Sequence, residues 1–306
     1  MSVRKLPIIA TQPGENAQMF DWENLRHFLA VAHAGTLSGA ARAMHVDHAT
    51  VSRRLNALEA ELQMSLIERL PRSCRLTPDG KKVLELAKHM ETASFDIARL
   101  ARAQHAPLDG KVALSAPPVL VAHFLAKRLA SLRETHPGIQ LSLLAQAQQI
   151  SLSRGEADIA LRLVRPKEPS NVARRIGRMP FALYAHKDYA RTVPPADWTF
   201  IAYDASLADM PQQQWLLKIA NGRPMGCTLS DISGHLAAAR GGAGVAGLPC
   251  FMGDTEGDLV RLEHDGSAFA RDIWLVVHRD LRRSKPVRVV MDYIATIVSE
   301  TPMLTI

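Results

Sequence analysis

The chain has 306 residues, 47% of them apolar and 22% charged, with 18 Gly, 18 Pro and a formal net charge of +7. This length implies about two domains, and the composition excludes a mainly disordered, collagen-like or disulfide-scaffold protein. The charge permits a nucleic-acid partner but does not locate one, since residues 1–105 carry +3 and residues 106–306 carry +4.

The start of the chain holds two basic residues and a short apolar patch, Leu6 to Ala10, too short for a good secretory core. Residues 1–19 therefore read as a flexible arm, with targeting as the lesser alternative. No run of about 18 uncharged apolar residues occurs, so no membrane-spanning helix and no membrane partner are expected. The three Cys, Cys74, Cys227 and Cys250, are far apart and form no CxxC. That excludes the common zinc-ribbon and thioredoxin-like spacings, and no metal site is expected.

From residue 20 the pattern is helical. Leu25, Phe28, Leu29 and Ala32 follow the i, i+3, i+4, i+7 rule, and Gly35 stops the helix. A second helix runs from about Leu37 to Met44, with Ala40, Ala41 and Met44 on one face. A third follows Asp47, an N-cap residue, and buries Val51, Leu55, Leu58 and Leu62. Only His45-Val46-Asp47 separates helices two and three. Two helices joined by so short a turn form a helix-turn-helix, and the small residues Ala40 and Ala41 permit the close approach it needs.

The third helix offers His48, Ala49, Thr50, Ser52, Arg53 and Asn56 opposite its apolar stripe. Small residues near the N-terminus allow entry into a major groove, and Arg, Ser, Thr, Asn and His reach base edges. Arg53 and Arg54 suit guanine or phosphate. Taken alone, the same face fits an ordinary solvated helix.

Residues 65–78 break the helical period, and their two short apolar runs flank Pro71-Arg72-Ser73. They read as a hairpin, or wing, carrying Arg69, Arg72 and Arg75. A long helix is expected from Asp79 to about residue 105. Along it Val83, Met90 and Ile97 repeat every seven residues, as do Leu86, Ala93 and Leu100. Such a seam asks for a partner helix, and a dimerisation helix fits better than one packed only on its own domain.

Residues 106–110 read as a hinge. Beyond them, expected strands at Lys111–Ser115, Ile139–Ala145, Asp158–Val164, Phe181–Ala185, Thr199–Tyr203, Gly244–Leu248 and Ile273–His278 alternate with helices near 119–135, 148–155, 209–221, 231–241 and 286–299. That alternation argues for an α/β domain with mostly parallel strands.

The run LRHFLAVAHAGTLSGAARAMHVDHATVSRRLNALEAELQMSLIERLPRSCRLTPDGKKVL resembles the N-terminal part of LysR-type transcriptional regulators. The matching features are helix one, Ala40-Ala41, Ser52-Arg53, Leu58-Glu59, the Leu66-Ile67-Glu68-Arg69 start of the wing and Leu76-Thr77-Pro78-Asp79-Gly80. A weaker resemblance continues through GKVALSAPPVL, THPGIQLSLL, ADIALRL and RGGAGVAGLP. Two departures stand out. Asp47-His48-Ala49-Thr50 replaces the family's Ser-Gln-Pro or Ser-Gln-Ser start, which implies a changed base preference. Ser73-Cys74 replaces a Gly-rich or basic wing tip.

The resemblance implies an all-α winged helix-turn-helix domain (20–78), a linker and dimerisation helix (79–105), a hinge (106–110) and an α/β, two-lobed, periplasmic-binding-protein-like effector domain (111–306). The lobes would be 111–186 with 270–300, and 187–269. The implied protein is a cytoplasmic, nucleoid-associated homodimer or homotetramer that reads an interrupted dyad in double-stranded promoter DNA. It would meet RNA polymerase there and respond to a small-molecule effector, with no cofactor. Thr36 and Ser38 join His48, Ala49, Thr50, Ser52, Arg53, Arg54, Arg72 and Arg75 as expected DNA contacts.

For the effector cleft the resemblance points to Ser115-Ala116-Pro117-Pro118, Arg162 and Gly242, and Tyr203 and His235 are further candidates. Each has a plainer reading. Ser115 would cap a helix, Arg162 would pair with a surface carboxylate, the Gly241–Gly244 segment would only turn, and His235 would lie on a helix surface. Cys227 and Cys250 match no activated thiol pattern and read better as inert than as a redox pair. No GxSxG or HExxH occurs, so catalysis has no support in the sequence. Two alternatives remain. One is a small-molecule-binding or enzymatic α/β protein whose helical N-terminus only oligomerises. The other is a non-specific DNA binder, which the modest +3 of residues 1–105 disfavours.

Overall fold

The computed structural model describes residues 20–105, 110–146 and 151–305. The expected arm at 1–19 and most of the expected hinge lie outside the described residues, as do the side chains of residues 99, 100 and 102–109. Contacts divide the chain into two compact units, and the division falls between Ser94 and Phe95.

The first unit begins with three helices, α1 (Trp22–Ala34), α2 (Leu37–Met44) and α3 (His48–Leu62). Each start is capped by a side-chain oxygen, at Asp47 as expected and also at Asp21 and Thr36. Asp21 accepts from the Glu23 amide at 2.9 Å, Thr36 from Gly39 at 2.9 Å and Asp47 from Thr50 at 2.6 Å. Gly35 closes α1 in the left-handed region, and His45 closes α2 in the same way. Phe28, Val31, Ala40, Val51, Leu55 and Leu58 are fully buried and form the core between the helices.

The expected wing is an antiparallel hairpin of β1 (Ile67–Leu70) and β2 (Ser73–Leu76). Glu59 anchors it to α3, because its Oε1 accepts from the amides of Leu66 at 2.6 Å and Ile67 at 3.0 Å. A long helix, α4 (Pro78–His105), follows. Its first turn lies so close to the hairpin that a Cβ on Gly80 would sit 2.1 Å from the Leu66 carbonyl oxygen.

The second unit is built on nine strands, β3 (Gly110–Ala116), β4 (Ile139–Ala145), β5 (Ile159–Arg162), β6 (Asn171–His186), β7 (Phe200–Tyr203), β8 (Met225–Leu229), β9 (Val245–Pro249), β10 (Leu259–Leu262) and β11 (Phe269–His278). Their order is β4-β3-β5-β11-β6-β9-β7-β8, with β10 also on β6. The helices are α5 (Pro118–Leu120), α6 (Leu129–Thr135), α7 (Lys187–Thr192), α8 (Pro211–Ala220), α9 (Ile232–Arg240), α10 (Cys250–Gly253) and α11 (Lys285–Ser299).

The expectation of mostly parallel strands is corrected. β3/β4, β3/β5, β7/β8 and β7/β9 are parallel, but every pairing of β6 and β11 is antiparallel. The reason is that these two long strands run side by side through the middle of the sheet. β5 pairs with β11 over Trp274–Val277, whereas β9 and β10 pair with β6 over Phe181–His186. The two halves of the domain are thus joined by β6 and β11. The change of partner falls inside these strands, and not at their ends where the expected lobe limits 186/187 and 269/270 lie.

Other differences are local. The helix expected at 119–135 is broken, with a π-helical turn at Val121–Leu125 and a 3-10 turn at Ala126–Arg128. The helix expected at 148–155 falls partly outside the described residues, and 151–155 form turns. Strands β8 and β10, helix α7 and the first part of β6 are absent from the sequence-based expectation. Among the described residues no helix is long and apolar enough to cross a membrane.

Candidate functional site

Two sites emerge, one in each unit. In the first, the face of α3 opposite its buried stripe divides into committed and uncommitted side chains. Arg54 is committed, with its guanidinium 3.2 Å from Asp21 and 3.2 Å from Asn24. Ser52 accepts from Arg69 of the wing at 3.1 Å, and the same guanidinium donates to Asn56. The Thr50 hydroxyl donates to Asp47 at 3.0 Å, and the bonds from Thr50 hold the Asp47 carboxyl below the usual carboxylate range. The Thr36 hydroxyl is spent on the start of α2.

Ser38, His48, Ala49, Arg53, Arg72 and Arg75 are exposed. Among the described residues the side chains of Ser38, His48, Arg53, Arg72 and Arg75 have no hydrogen bond or ion pair. The structure therefore brings together the N-terminal half of α3, with His48, Ala49 and Arg53 outward, and a wing carrying Arg72 at its tip. Such a helix presents small and donor groups at the end that enters a groove. The sequence pattern does not announce that Arg69 and Glu59 brace the wing against α3. In the sequence these positions stand out only as points of resemblance and as wing charge.

On α4, Ala87 is buried and Val83 packs on the core of the first unit. Leu86, Met90 and Ile97 are 68%, 42% and 71% exposed. The expected seam residue Leu100 has its side chain outside the described residues.

In the second unit the expected effector residues form two pairs. Ser115, at the end of β3, is fully buried, and its hydroxyl accepts from the Arg162 guanidinium at 3.1 Å. Burial lowers the affinity of Arg162 for its proton. Ser115 therefore does not cap the next helix. At this turn Pro117 and Pro118 lack amide hydrogens and so supply no donors.

The second pair is Tyr203, at the end of β7, and His235, in the first turns of α9. Their rings lie 4.3 Å apart. His235 is 1% exposed, which corrects its reading as a surface residue. Its Nε2 lies 3.3 Å from the Leu229 carbonyl oxygen, and its Nδ1 has no partner among the described residues. Burial holds its pKa below the ordinary histidine value and raises that of Tyr203. The amides of Ser233 and Gly234 are taken by Asp231, so the start of α9 is already capped.

Gly242 lies past the end of α9, and its φ of 76° serves the turn into β9.

Two bridges that the sequence does not suggest connect the halves. His123 Nε2 lies 3.0 Å from the Ser233 hydroxyl. Arg271 donates to Gln212 at 3.0 Å and to the Leu163 carbonyl at 3.3 Å. The three Cys are free, and burial pushes the Cys250 thiol pKa up, which favours inert over reactive.

Comparison with known proteins decides the family. Residues 105–298 match the LysR substrate binding domain, and residues 22–81 match the bacterial regulatory helix-turn-helix protein of the lysR family. The chain belongs to the LysR family. This LysR-type regulator binds DNA through its helix-turn-helix, carries an effector-binding domain and is not an enzyme.

It is 29% identical over 282 residues to the Mau operon transcriptional activator of Paracoccus denitrificans, covering 92% of this chain and 98% of that one. Its fold resembles that of CrgA, a LysR-type regulator from Neisseria meningitidis, with a TM-score of 0.53 and 24% identity, over 91% and 99% of the chains. It also resembles a full-length OxyR variant from Pseudomonas aeruginosa, with a TM-score of 0.62 and 19% identity, over 90% and 98%.

Proposed function

We propose that this regulator reads an interrupted dyad in promoter DNA with the N-terminal half of α3. Ser38, His48, Ala49 and Arg53 would face the groove. Arg72 and Arg75 of the wing would meet phosphate or the minor groove. Thr36, Thr50, Ser52 and Arg54 would act through the caps and braces they form. The observation that carries this reading is the split on α3: Arg53 is exposed with no hydrogen bond or ion pair among the described residues, while its neighbour Arg54 is tied to Asp21 and Asn24.

The functional unit is a homodimer or homotetramer paired through α4, in the bacterial cytoplasm, where it meets RNA polymerase at promoters. The exposed Leu86, Met90 and Ile97 support pairing, since large apolar groups along one helix gain most from a second helix. Domain limits of 20–78, 79–105 and 111–306 suit that division of labour. A small effector is held between the halves of the second unit, near Ser115, Ala116, Arg162, Tyr203 and His235.

Selection of genomic fragments by the purified protein at near-physiological salt tests the reading. Recovery of a few discrete sites with dyad symmetry, lost in Arg53→Ala, is the expected outcome. Random fragments with both proteins would refute it.

A further inference from the structure

Side chains on a strand alternate between faces, so Arg175 and Arg178, three residues apart on β6, should point to opposite sides. The pairing with β11 undoes that. Asp272 faces Arg178 and Ile273 faces Gly177, but Trp274 faces Arg175, so Ile176 is an extra residue at a bulge. The bulge shifts the alternation by one and brings Arg175 and Arg178 onto the face of Asp272 and Trp274. The other face is closed, because a Cβ on Gly177 would lie 2.5 Å from the Leu304 carbonyl and 2.6 Å from Val298.

The result is a cavity of about 590 Å³ lined by Arg165, Arg175, Arg178, Arg271, Asp272 and Trp274. Arg165 sits over the Trp274 ring at 5.5 Å. The guanidiniums of Arg165, Arg175 and Arg178 meet a single carboxylate, and Asp272 reaches only Arg175, at 3.5 Å; Arg271, next to Asp272 on β11, lines the cavity from the alternate side of the strand. Arg165, Arg178 and Arg271 have no carboxylate within 4.0 Å among the described residues. Arg271 is half-buried, and desolvation alone disfavours its charge.

Arg165, Arg175 and Arg178 are exposed, so the cavity offers guanidinium groups to solutes with a single carboxylate among them. Guanidinium forks match carboxylate and phosphoryl oxygens in pairs. None of Ser115, Arg162, Tyr203 or His235 lines this cavity, so it is separate from the effector residues named above.

We propose that this pocket is a binding site for a compact multivalent oxyanion, a phosphoryl group or a polycarboxylate, held where the two halves of the domain join. Arg271 makes the site regulatory. Its guanidinium also bonds Gln212 on α8 and the Leu163 carbonyl after β5, so an anion drawn to it competes with the bridge between the halves.

The test is calorimetric titration of the full-length protein with pyrophosphate, with citrate and with acetate, at constant ionic strength in chloride. One saturable site per chain is expected for pyrophosphate or citrate, and none for acetate at the same concentrations. Pyrophosphate alone would assign a phosphoryl ligand and citrate alone a polycarboxylate. Arg165→Gln lies on an exposed segment outside the sheet and should weaken binding roughly tenfold or more, as should Arg175→Gln with Arg178→Gln. Arg282→Gln with Arg283→Gln, outside the cavity, should change nothing. Binding should also shift tryptophan emission, and Trp274→Phe should remove the shift. Absence of a saturable site, or equal affinity in wild type and Arg165→Gln, would overturn the proposal.

Discussion

Arg53 and Arg54 are adjacent in sequence and opposite in circumstance, and replacing each by Ala should separate a DNA contact from a brace. Arg53 is exposed and makes no hydrogen bond or ion pair among the described residues, so its loss should leave folding stability within about 0.5 kcal/mol of wild type, as for an ordinary surface position. If it reads a base edge through both nitrogens, the selected site should lose about 1–3 kcal/mol, roughly 5- to 150-fold in Kd, while a scrambled duplex loses far less. Arg54 pairs with Asp21, and the two side chains are 37% and 50% exposed. An exposed pair of this kind contributes roughly 0.2–1 kcal/mol to stability, so Arg54→Ala should lower the melting point slightly and weaken both duplexes alike. Fluorescence anisotropy against the two duplexes at three salt concentrations, with thermal unfolding alongside, resolves the cases. A phosphate contact at Arg53 would instead weaken both duplexes equally and reduce the salt slope by about one. Equal losses with Arg53→Ala, or a melting point that falls more with Arg53→Ala than with Arg54→Ala, would refute the assignment.

Other outcomes follow from the same geometry. Glu59→Ala leaves the Leu66 and Ile67 amides without their acceptor and should destabilise the first unit by about 1–3 kcal/mol, read by chemical denaturation. Met90→Glu with Ile97→Glu should reduce the oligomer mass measured by light scattering; an unchanged mass would remove α4 from the pairing surface. Both His235 and His123 have pKa values lowered from 6.5, chiefly by burial. The unfolded chain then binds more protons, so stability is full above about pH 6.5 and falls as pH drops below it. His235→Gln should shrink that fall, measured as unfolding free energy at pH 7.5 and pH 5.5, and an unchanged pH dependence would exclude His235 as its source.

The first unit was legible because its signals are local. Asp47 caps the helix it precedes, the Leu55 and Leu58 stripe marks one face, and Pro71-Arg72 marks a turn. The second unit was legible where strands are apolar and buried, as at β5, β7 and β9. It was not legible at the start of β6, where Asn171 to Arg178 carries three arginines and has no apolar run. That segment is a strand because β11 supplies its hydrogen bonds, which is tertiary context and outweighs propensity. His235 was misplaced because a lone histidine on a short helix has no signature of depth; only packing against Tyr203 reveals it. Gln212 and Arg271 are 59 residues apart, so nothing in the sequence announces their bond.

The bridges between the halves set a limit on what an effector has to do. A ligand shifts a conformational equilibrium only by its difference in affinity for the two states. The bridges described here are His123 to Ser233 and Arg271 to Gln212 and Leu163; since Arg271 moves with one half, two hydrogen bonds cross between them. At a net 0.5–1.5 kcal/mol each, they favour this arrangement by about 1–3 kcal/mol. Moving a population from 1:99 to 99:1 takes about 5.5 kcal/mol, so the bias lies within reach of one small ligand. Each bridge should therefore appear in the effector's apparent affinity. Ser233→Ala removes the His123 bond without adding bulk, and it should weaken a ligand that prefers this arrangement by roughly 2- to 12-fold. A ligand that prefers the alternative arrangement would bind the same variant more tightly, so the direction of the change reports which arrangement the effector selects. Unchanged affinity would show that the His123 bond contributes nothing to the equilibrium between them.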